Sequence, residues 1–166
     1  MLHGTAVVLR PALPDDGPRF AAVLSTPEVS RWWTDVDPEH LEQGIVGSTD
    51  AVVYAIEYED DVVGAVLYIE EPARNFRHAS LDVFLDPRIH GQGLGTDAVR
   101  TLARHLIHDR GHHRLVLYPD AENEQAIKTF NRVGFRPVGV MRQFERHEDG
   151  EWRDCLLMDL LEPDLN

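Results

Sequence analysis

A glycine-rich loop is the part of this 166-residue chain whose residue types and spacing best suit anion binding. The loop, His90-Gly91-Gln92-Gly93-Leu94-Gly95, follows the apolar run Val83-Phe84-Leu85 and precedes an amphipathic segment that begins at Thr96. Glycine adopts positive φ angles and lets a ligand approach the backbone, and the first N–H groups of a helix have no partner within it. A strand, a glycine loop and a helix in this order predict a site for a pyrophosphate.

Two familiar phosphate-binding patterns do not fit this loop. A P-loop places a lysine and a hydroxyl residue after its last glycine, whereas Thr96-Asp97 stand there. A dinucleotide fold has the spacing G-x-G-x-x-G and an acidic residue after the next strand, whereas the spacing here is G-x-G-x-G and the strand Leu115-Val116-Leu117 leads to Tyr118. A purely structural turn, which alternating glycines also make, stays open at this point.

Composition and charge favour a single acidic domain over residues 1–166. The formal charge of −13 argues against a nucleic-acid partner and favours a cationic small molecule, although a solvated acidic surface would give the same composition. Cys155 is the only cysteine, so no internal disulfide can form, and no segment has the length and apolarity of a membrane span or a leader. We predict a cytoplasmic protein without a membrane partner. An exposed sheet edge would allow a monomer or a homodimer.

Hydrophobic periodicity predicts a mixed α/β fold that would hold these residues in place. Strands are predicted at residues 7–10, 52–58, 62–69, 79–85, 115–117, 137–144 and 152–161. Helical segments are predicted at 13–24, from 38 or 39 to about 46, at 96–111 and at 123–133, with a shorter segment opening at 27. The glycine loop therefore lies between the fourth strand and the helix that begins at Thr96.

This order of elements, together with two motifs, resembles the GNAT acetyltransferases. The motifs are the loop at 86–96 and the segment Asn123–Phe135, which is similar to the family's N-x-x-A-I-x-x-Y-x-K-x-G-F helix. The resemblance implies a mixed, mostly antiparallel sheet of six to seven strands, flanked by about four helices and splayed in a V between the strands 79–85 and 115–117. The ending 152–158 and the pair Trp32-Trp33 resemble the branch that contains aminoglycoside 6'-N-acetyltransferases.

The resemblance also implies acetyl-CoA as the co-substrate, and no metal. The diphosphate would lie on the loop amides, and the backbone N–H of Phe84 or a neighbour would polarise the thioester carbonyl. His90 stands where the family usually has Arg or Gln. The implied cofactor-binding residues are Val83, Phe84, Leu85, His90, Gly91, Gln92, Gly93, Leu94, Gly95, Thr96, Asn123, Ala126 and Phe130.

Direct transfer to an amine needs a base, because an ammonium must lose a proton before it can attack. Asp82 shares a face of its strand with Phe84 and is our candidate, either as the base or as an anchor for the substrate ammonium. The family's usual acid, a tyrosine, falls at Phe130. Either the CoA thiolate leaves unassisted or Tyr118 supplies the proton, and Tyr118 would otherwise line the cleft.

The acceptor is expected to be a small cationic amine, with an aminoglycoside 6'-amine as the leading hypothesis. A ribosomal-protein-type N-terminal acetyltransferase and a non-catalytic acyl-CoA-binding domain are the alternatives. His105 and His108 lie near the C-terminal end of a predicted helix, where the helix dipole favours basic side chains. Their presence therefore does not require a metal site. The candidate substrate-binding residues are Trp32, Trp33, Glu57, Asp82, Asp120 and Asp154.

Overall fold

The computed structural model describes residues 1–33, 38–47 and 49–166. The strands are β1 (Leu2–His3), β2 (Val8–Pro11), β3 (Val52–Tyr58), β4 (Asp61–Glu70), β5 (Ala79–Leu85), β6 (Arg114–Leu117), β7 (Arg136–Arg146) and β8 (Trp152–Leu161). The α-helices are α1 (Gly17–Leu24), α2 (Pro27–Ser30), α3 (Pro38–Ile45), α4 (Leu94–Arg104) and α5 (Glu124–Val133). One π-helical turn, His105–Asp109, extends α4.

The strands form one sheet in the order β1-β2-β3-β4-β5-β6-β8-β7, and only the pair β5–β6 is parallel. This confirms the predicted mixed, mostly antiparallel sheet. The predicted strand number was too low, because Leu2–His3 adds an eighth strand that is too short to show alternation. The helix count among the described residues is five rather than about four, since α2 is a separate helix of 4 residues.

The sheet separates two apolar cores, as strand alternation requires. On β4, Val66 packs into the core beneath α4 and α5, whereas Ala65 packs into the core beneath α1 and α3. Phe84 of β5 lies in the second core with Phe20 of α1, at a ring-centroid distance of 5.8 Å. The helices that follow the glycine loop and those near the N-terminus therefore cover opposite faces.

The sheet opens between β5 and β6, as the V-shaped splay predicts. The two strands share only two register pairs, Ala79 with Leu115 and Ser80 with Val116. Beyond them β6 continues on β8, where Leu117 pairs with Met158, while β5 continues on β4. The later part of β5 therefore has a free edge that faces the opening.

Asp97 fixes α4 to the N-terminal strands. Its carboxylate accepts backbone N–H bonds from Thr5 at 2.9 Å, Ala6 at 2.7 Å and Val7 at 3.0 Å. Burial opposes the charged form, but these three donors outweigh it and lower the pKa of Asp97. The start of α4, and with it the glycine loop, is thus held against β2.

Among the described residues, no helix is long and apolar enough to cross a membrane. No group of three or more His, Cys, Asp or Glu side chains among them is arranged to hold a metal ion.

Candidate active site

A cleft runs through the opening between β5 and β6. It consists of two adjoining cavities of about 510 Å³ and 280 Å³. We call the larger one the loop cavity, because His90–Thr96 contributes to its wall, and the smaller one the acidic cavity, because Asp82, Asp120 and Glu145 line it. Both cavities are lined by Trp32, Trp33, Val83, Asn123, Ala126 and Phe130, which form the junction.

The glycine loop forms one end of the loop cavity. Gly91 and Gly93 have φ angles of +79° and +80°, and a Cβ at either position would project into open space. Helix α4 begins at Leu94, two residues earlier than predicted, with its first backbone bond running from the Asp97 N–H to the Gly93 carbonyl. The N–H groups of residues 94–96 precede this bond, so they have no partner within the helix and can bind an anion.

Asp86 supports the glycine loop from behind. Its Oδ1 accepts the Arg88 backbone N–H at 2.9 Å, and its Oδ2 accepts side-chain bonds of 2.6 Å from both Arg88 and Arg19. The Arg88 guanidinium holds the pKa of this buried carboxyl well below its usual range. Asp86 therefore ties the loop to α1 through Arg19.

Basic side chains line the loop cavity. Lys128 and Arg132 lie one turn apart on α5, and Arg31 contributes from the other side, with its guanidinium carbon 4.4 Å from the centre of the Trp32 ring. The predicted cofactor-binding set did not include these residues. The i, i+4 spacing of Lys128 and Arg132 could have indicated that they share one face of α5. His90 lines the same cavity, and its Nε2 lies 2.9 Å from the Leu85 carbonyl oxygen.

Only some of the remaining predicted cofactor-binding residues line the cavities. Gln92 is exposed and does not appear on the wall of either cavity. Asn123 caps α5, accepting the Ala126 N–H at 3.2 Å, and both residues lie at the junction. Phe130 also reaches the junction and packs on Phe135 with the ring centroids 6.3 Å apart. The capped start of α5 therefore closes one side of the cleft.

The backbone of β5 presents Val83 and Leu85, rather than Phe84, to the opening. The Asp86 N–H donates to the Val63 carbonyl of β4, and the Phe84 carbonyl lies directly against Gly64 of β4. Successive strand residues alternate in the direction of their N–H and C=O groups. The backbone N–H of Phe84, two residues before Asp86, therefore also points towards β4. Of the predicted oxyanion donors, the neighbours of Phe84 thus have the suitable direction. The Phe84 ring instead packs against Trp33 at 5.2 Å.

Asp82 lies on the wall of the acidic cavity and is exposed to the cleft. Its Oδ1 accepts the backbone N–H of Val83 at 2.9 Å. Removal of bulk water by the cleft walls, aided by the negative charge of Glu145, outweighs this bond and raises the pKa of Asp82 to about 7. A carboxyl with this pKa can exchange a proton near neutral pH.

The acidic cavity carries negative charge, whereas the loop cavity carries mostly positive charge. Asp82, Asp120 and Glu145 line the acidic cavity, and no Lys or Arg side chain does so among the described residues. Such a wall attracts a cation, and the basic wall at the other end attracts phosphates. One cleft can therefore hold an anionic and a cationic molecule side by side.

The candidate acids from the sequence are only partly brought together. Asp120 is buried on the wall of the acidic cavity, and its Oδ1 accepts the Glu122 N–H at 2.9 Å. Glu57 lies outside both cavities and accepts a 2.6 Å bond from Arg10. Asp154 is also outside them, and its Oδ1 accepts the Gln143 N–H at 2.8 Å. Asp154 thus stabilises the backbone of β7.

The backbone that Asp154 stabilises is a bulge that carries Glu145 to the site. Met141 pairs with Cys155 and Glu145 with Arg153, so three residues of β7 stand opposite one residue of β8. Gln143 within the bulge has a φ of +49°. The sequence pattern predicted an uninterrupted strand at 137–144 and therefore missed Glu145, because a bulge changes which face a side chain takes.

Aromatic side chains complete the acidic cavity. Tyr118 follows β6, lines this cavity and stacks on Phe144 of the bulge with the ring centroids 5.6 Å apart. Trp32 and Trp33 lie at the junction, so the predicted aromatic pair borders both cavities. An amphipathic ligand would find flat apolar walls beside the carboxylates.

Cys155 lies behind this wall and is buried. Burial, together with the negative charges of Glu145 and Asp120, raises the pKa of its thiol to about 12. The thiol is therefore protonated at neutral pH and is a poor nucleophile.

The chain matches one family model and several known proteins. The family model described as "Acetyltransferase (GNAT) domain" matches residues 6–136. The mycothiol acetyltransferase of Kytococcus sedentarius is 29% identical over 119 residues, which are 64% of this chain and 40% of that protein. The chain thus spans less than half the length of that relative. The spermidine N(1)-acetyltransferase of Escherichia coli is 24% identical over 160 residues, which are 92% of this chain and 84% of that protein.

A solved structure shows the same fold at low sequence identity. AAC(6')-Ib in complex with paromomycin and acetyl-CoA superposes with a TM-score of 0.77 at 18% identity, covering 96% of this chain and 95% of that one. The family match spans most of the chain, including β2 to α5 and the glycine loop. This protein belongs to the GNAT acetyltransferase domain family.

Proposed function

We propose that this protein transfers the acetyl group of acetyl-CoA directly to a primary amine of a small cationic molecule. The observation that carries the proposal is the division of charge along one cleft, basic around the glycine loop and acidic beyond the junction. The N–H groups of Leu94, Gly95 and Thr96 would bind the diphosphate, with Lys128 and Arg132 nearby. The acceptor ammonium would enter the acidic cavity.

Asp82 is the proposed base. The amine reaches the cleft mainly as an ammonium, so it must lose one proton before its nitrogen can attack the thioester carbon. A carboxyl whose pKa is raised to about 7 is suited to accept that proton. As the N–C bond forms and the C–S bond breaks, the nitrogen loses a second proton to water, and the departing thiolate takes one proton, either from Tyr118 or from water.

The backbone N–H of Val83 is the proposed oxyanion donor. It faces the opening, lies at the junction and is fixed by the pairing of β5 with β4. Preorganised N–H donors of this kind stabilise the negative charge that develops on a carbonyl oxygen. The Leu85 N–H points in the same direction and lies nearer the glycine loop.

Tyr118 is the proposed proton donor for the thiolate. Phe130 reaches the junction but has no proton to give, whereas Tyr118 lies on the wall of the acidic cavity and is 38% exposed. The stack on Phe144 fixes the plane of its ring. If the thiolate leaves without help, Tyr118 acts only as a cleft wall.

For the acceptor molecule, we propose an aminoglycoside that is acetylated at its 6'-amine. Three carboxylates beside Trp32 and Trp33 suit a sugar that carries several ammonium groups. A polyamine is a second candidate, supported by the match to spermidine N(1)-acetyltransferase over 92% of the chain. Both molecules are polycations, so the same wall of carboxylates suits either one.

A CoA-release assay would test this function. Purified protein is incubated with acetyl-CoA and, separately, with tobramycin, kanamycin, spermidine, a peptide with a free N-terminus and the neutral sugar glucose. We expect CoA release and one added acetyl group by mass spectrometry with a polycation, and neither with glucose. An acetylated peptide alone would instead support an N-terminal acetyltransferase. Tight acetyl-CoA binding without any amine-dependent release would contradict catalysis.

A further inference from the structure

His147 lies behind the acidic cavity, in the turn between β7 and β8. Its side chain is 3% exposed, and its Nε2 lies 3.6 Å from Asp120 Oδ2 and 3.8 Å from Glu145 Oε2. Neither His147 Nε2 nor Asp120 Oδ2 has a hydrogen-bond partner among the described residues, and both atoms are buried. Buried polar atoms in native proteins are nearly always paired, so this gap calls for a physical reason.

The backbone of His147 and the Oδ1 atom of Asp120 already have structural tasks. The His147 N–H donates to the Glu151 carbonyl, and the Gly150 N–H donates to the His147 carbonyl, which closes the turn. Asp120 Oδ1 accepts the Glu122 N–H. The turn that holds His147 and the loop that holds Asp120 therefore form without a hydrogen bond between His147 Nε2 and Asp120 Oδ2.

The two carboxylates compete for a single ring nitrogen. The Asp120 side chain is 2% exposed, whereas the Glu145 side chain is 31% exposed and reaches the cavity wall. An imidazole nitrogen carries one N–H at most, so it can satisfy only one of them. An ammonium in the cavity would attract Glu145, and the imidazole would then be left to Asp120.

We propose that His147 is a positioning residue of the acceptor site. When a cationic acceptor binds Glu145, the His147 Nε2–H closes the 3.6 Å gap and hydrogen bonds to Asp120 Oδ2. The inference rests on the proposed function in one respect, namely that the acceptor is cationic. Catalytic hydrogen bonds are often long in a free protein and shorten when the substrate binds.

Kinetics of two variants test this role. His147→Leu removes the donor, whereas His147→Gln keeps an N–H of similar reach. We expect His147→Leu to raise KM for the polycation by about tenfold, as expected for a lost hydrogen bond to a charged group, with KM for acetyl-CoA and kcat little changed. His147→Gln should recover most of the loss. An unchanged KM in His147→Leu, or equal losses in both variants, would overturn the proposal.

NMR of the His147 ring in the wild-type protein gives a readout that needs neither turnover nor a mutant. The CoA-bound protein is titrated with spermidine, tobramycin or glucose, and the ring nitrogen and carbon-bound proton signals are followed. We expect the signals to shift with at least one polycation and to stay in place with glucose. Signals that no polycation moves overturn the positioning role. A shift without CoA release in the assay above would retain the role and contradict the proposed function.

Discussion

The Asp82 carboxylate accepts a hydrogen bond of 2.9 Å from the backbone N–H of Val83, which joins the proposed base to the proposed oxyanion donor. A carboxylate is a strong acceptor, and protonation weakens it. In the proposed reaction, Asp82 would loosen its hold on the Val83 N–H when it takes the proton of the ammonium. The donor would then become available to the thioester oxygen as the nitrogen becomes able to attack, so one proton transfer would prepare both partners.

The glycine loop should control acetyl-CoA binding through its backbone. Gly93 caps α4 with a φ of +80°, so Gly93→Ala forces an L-residue into a left-handed conformation that it rarely adopts and strains the loop. We expect the Kd for acetyl-CoA, measured by titration calorimetry, to rise by about tenfold. Gly139→Ala is the control, since a Cβ at Gly139 meets no atom within 4 Å and its φ lies outside the left-handed range. Equal Kd values for the two variants would contradict the loop assignment.

Asp86 should stabilise the fold in a pH-dependent manner. Asp86→Asn removes the charge that holds Arg88 and Arg19, and we expect the free energy of unfolding to fall by about 2 kcal/mol. The folded state lowers the pKa of this carboxyl, so its contribution is complete at neutral pH and is lost as the pH falls below about 4.

Denaturant unfolding at several pH values measures this difference. Asp61→Asn is the matched control, because the Asp61 side chain is 61% exposed and lies 3.7 Å from Arg19 and 3.9 Å from Arg88. An exposed pair of this kind should change stability by less than about 0.5 kcal/mol. A gap between wild type and Asp86→Asn that does not shrink in acid would count against the ion pairs as its source.

Glu145 should select for a cationic acceptor. Glu145→Gln removes one of the three charges of the acidic cavity, and we expect KM for the polycation to rise by about tenfold while KM for acetyl-CoA stays the same. Glu57→Gln is the control, since Glu57 lies outside both cavities. Steady-state kinetics with each substrate varied in turn would separate the two effects. A larger effect in Glu57→Gln would mean that the acceptor binds elsewhere.

Tyr118 should assist departure of the thiolate. Tyr118→Phe keeps the ring and its stack on Phe144 but removes the hydroxyl. We expect kcat to fall by about tenfold with both KM values little changed, as for loss of a general acid. A kcat equal to that of the wild type, in a protein with the same melting temperature, would leave Tyr118 as a wall of the cleft.

The sequence was informative where local patterns decide the structure. The glycine loop was placed correctly between a strand and a helix, because glycine spacing and the apolar run 83–85 are local features. Alternation put Asp82 on the same face as Phe84, and the resemblance predicted the opening between β5 and β6, where register pairing ends after two pairs.

Features that depend on strand register or on partners distant in the sequence could not be predicted from the sequence. The direction of the Phe84 N–H depends on how β5 is aligned with β4. A shift of this register by one residue would reverse that direction. The bulge around Gln143 depends on the Asp154 carboxylate, eleven residues away in sequence, so Glu145 was missed and Asp154 was assigned to the substrate. The position of Glu57 outside both cavities was not predicted for a similar reason, because its partner Arg10 comes from another strand.

The central claim is that Asp82 accepts the proton of a cationic amine in this cleft, and the pH profile of kcat/KM tests it most directly. With the best amine of the panel, the wild-type value should rise with pH and level off above about pH 7, because the base must be ionised. Asp82→Asn should lower kcat/KM by on the order of a hundredfold and remove that inflection. An inflection that persists in Asp82→Asn, with activity near that of the wild type, would contradict the account.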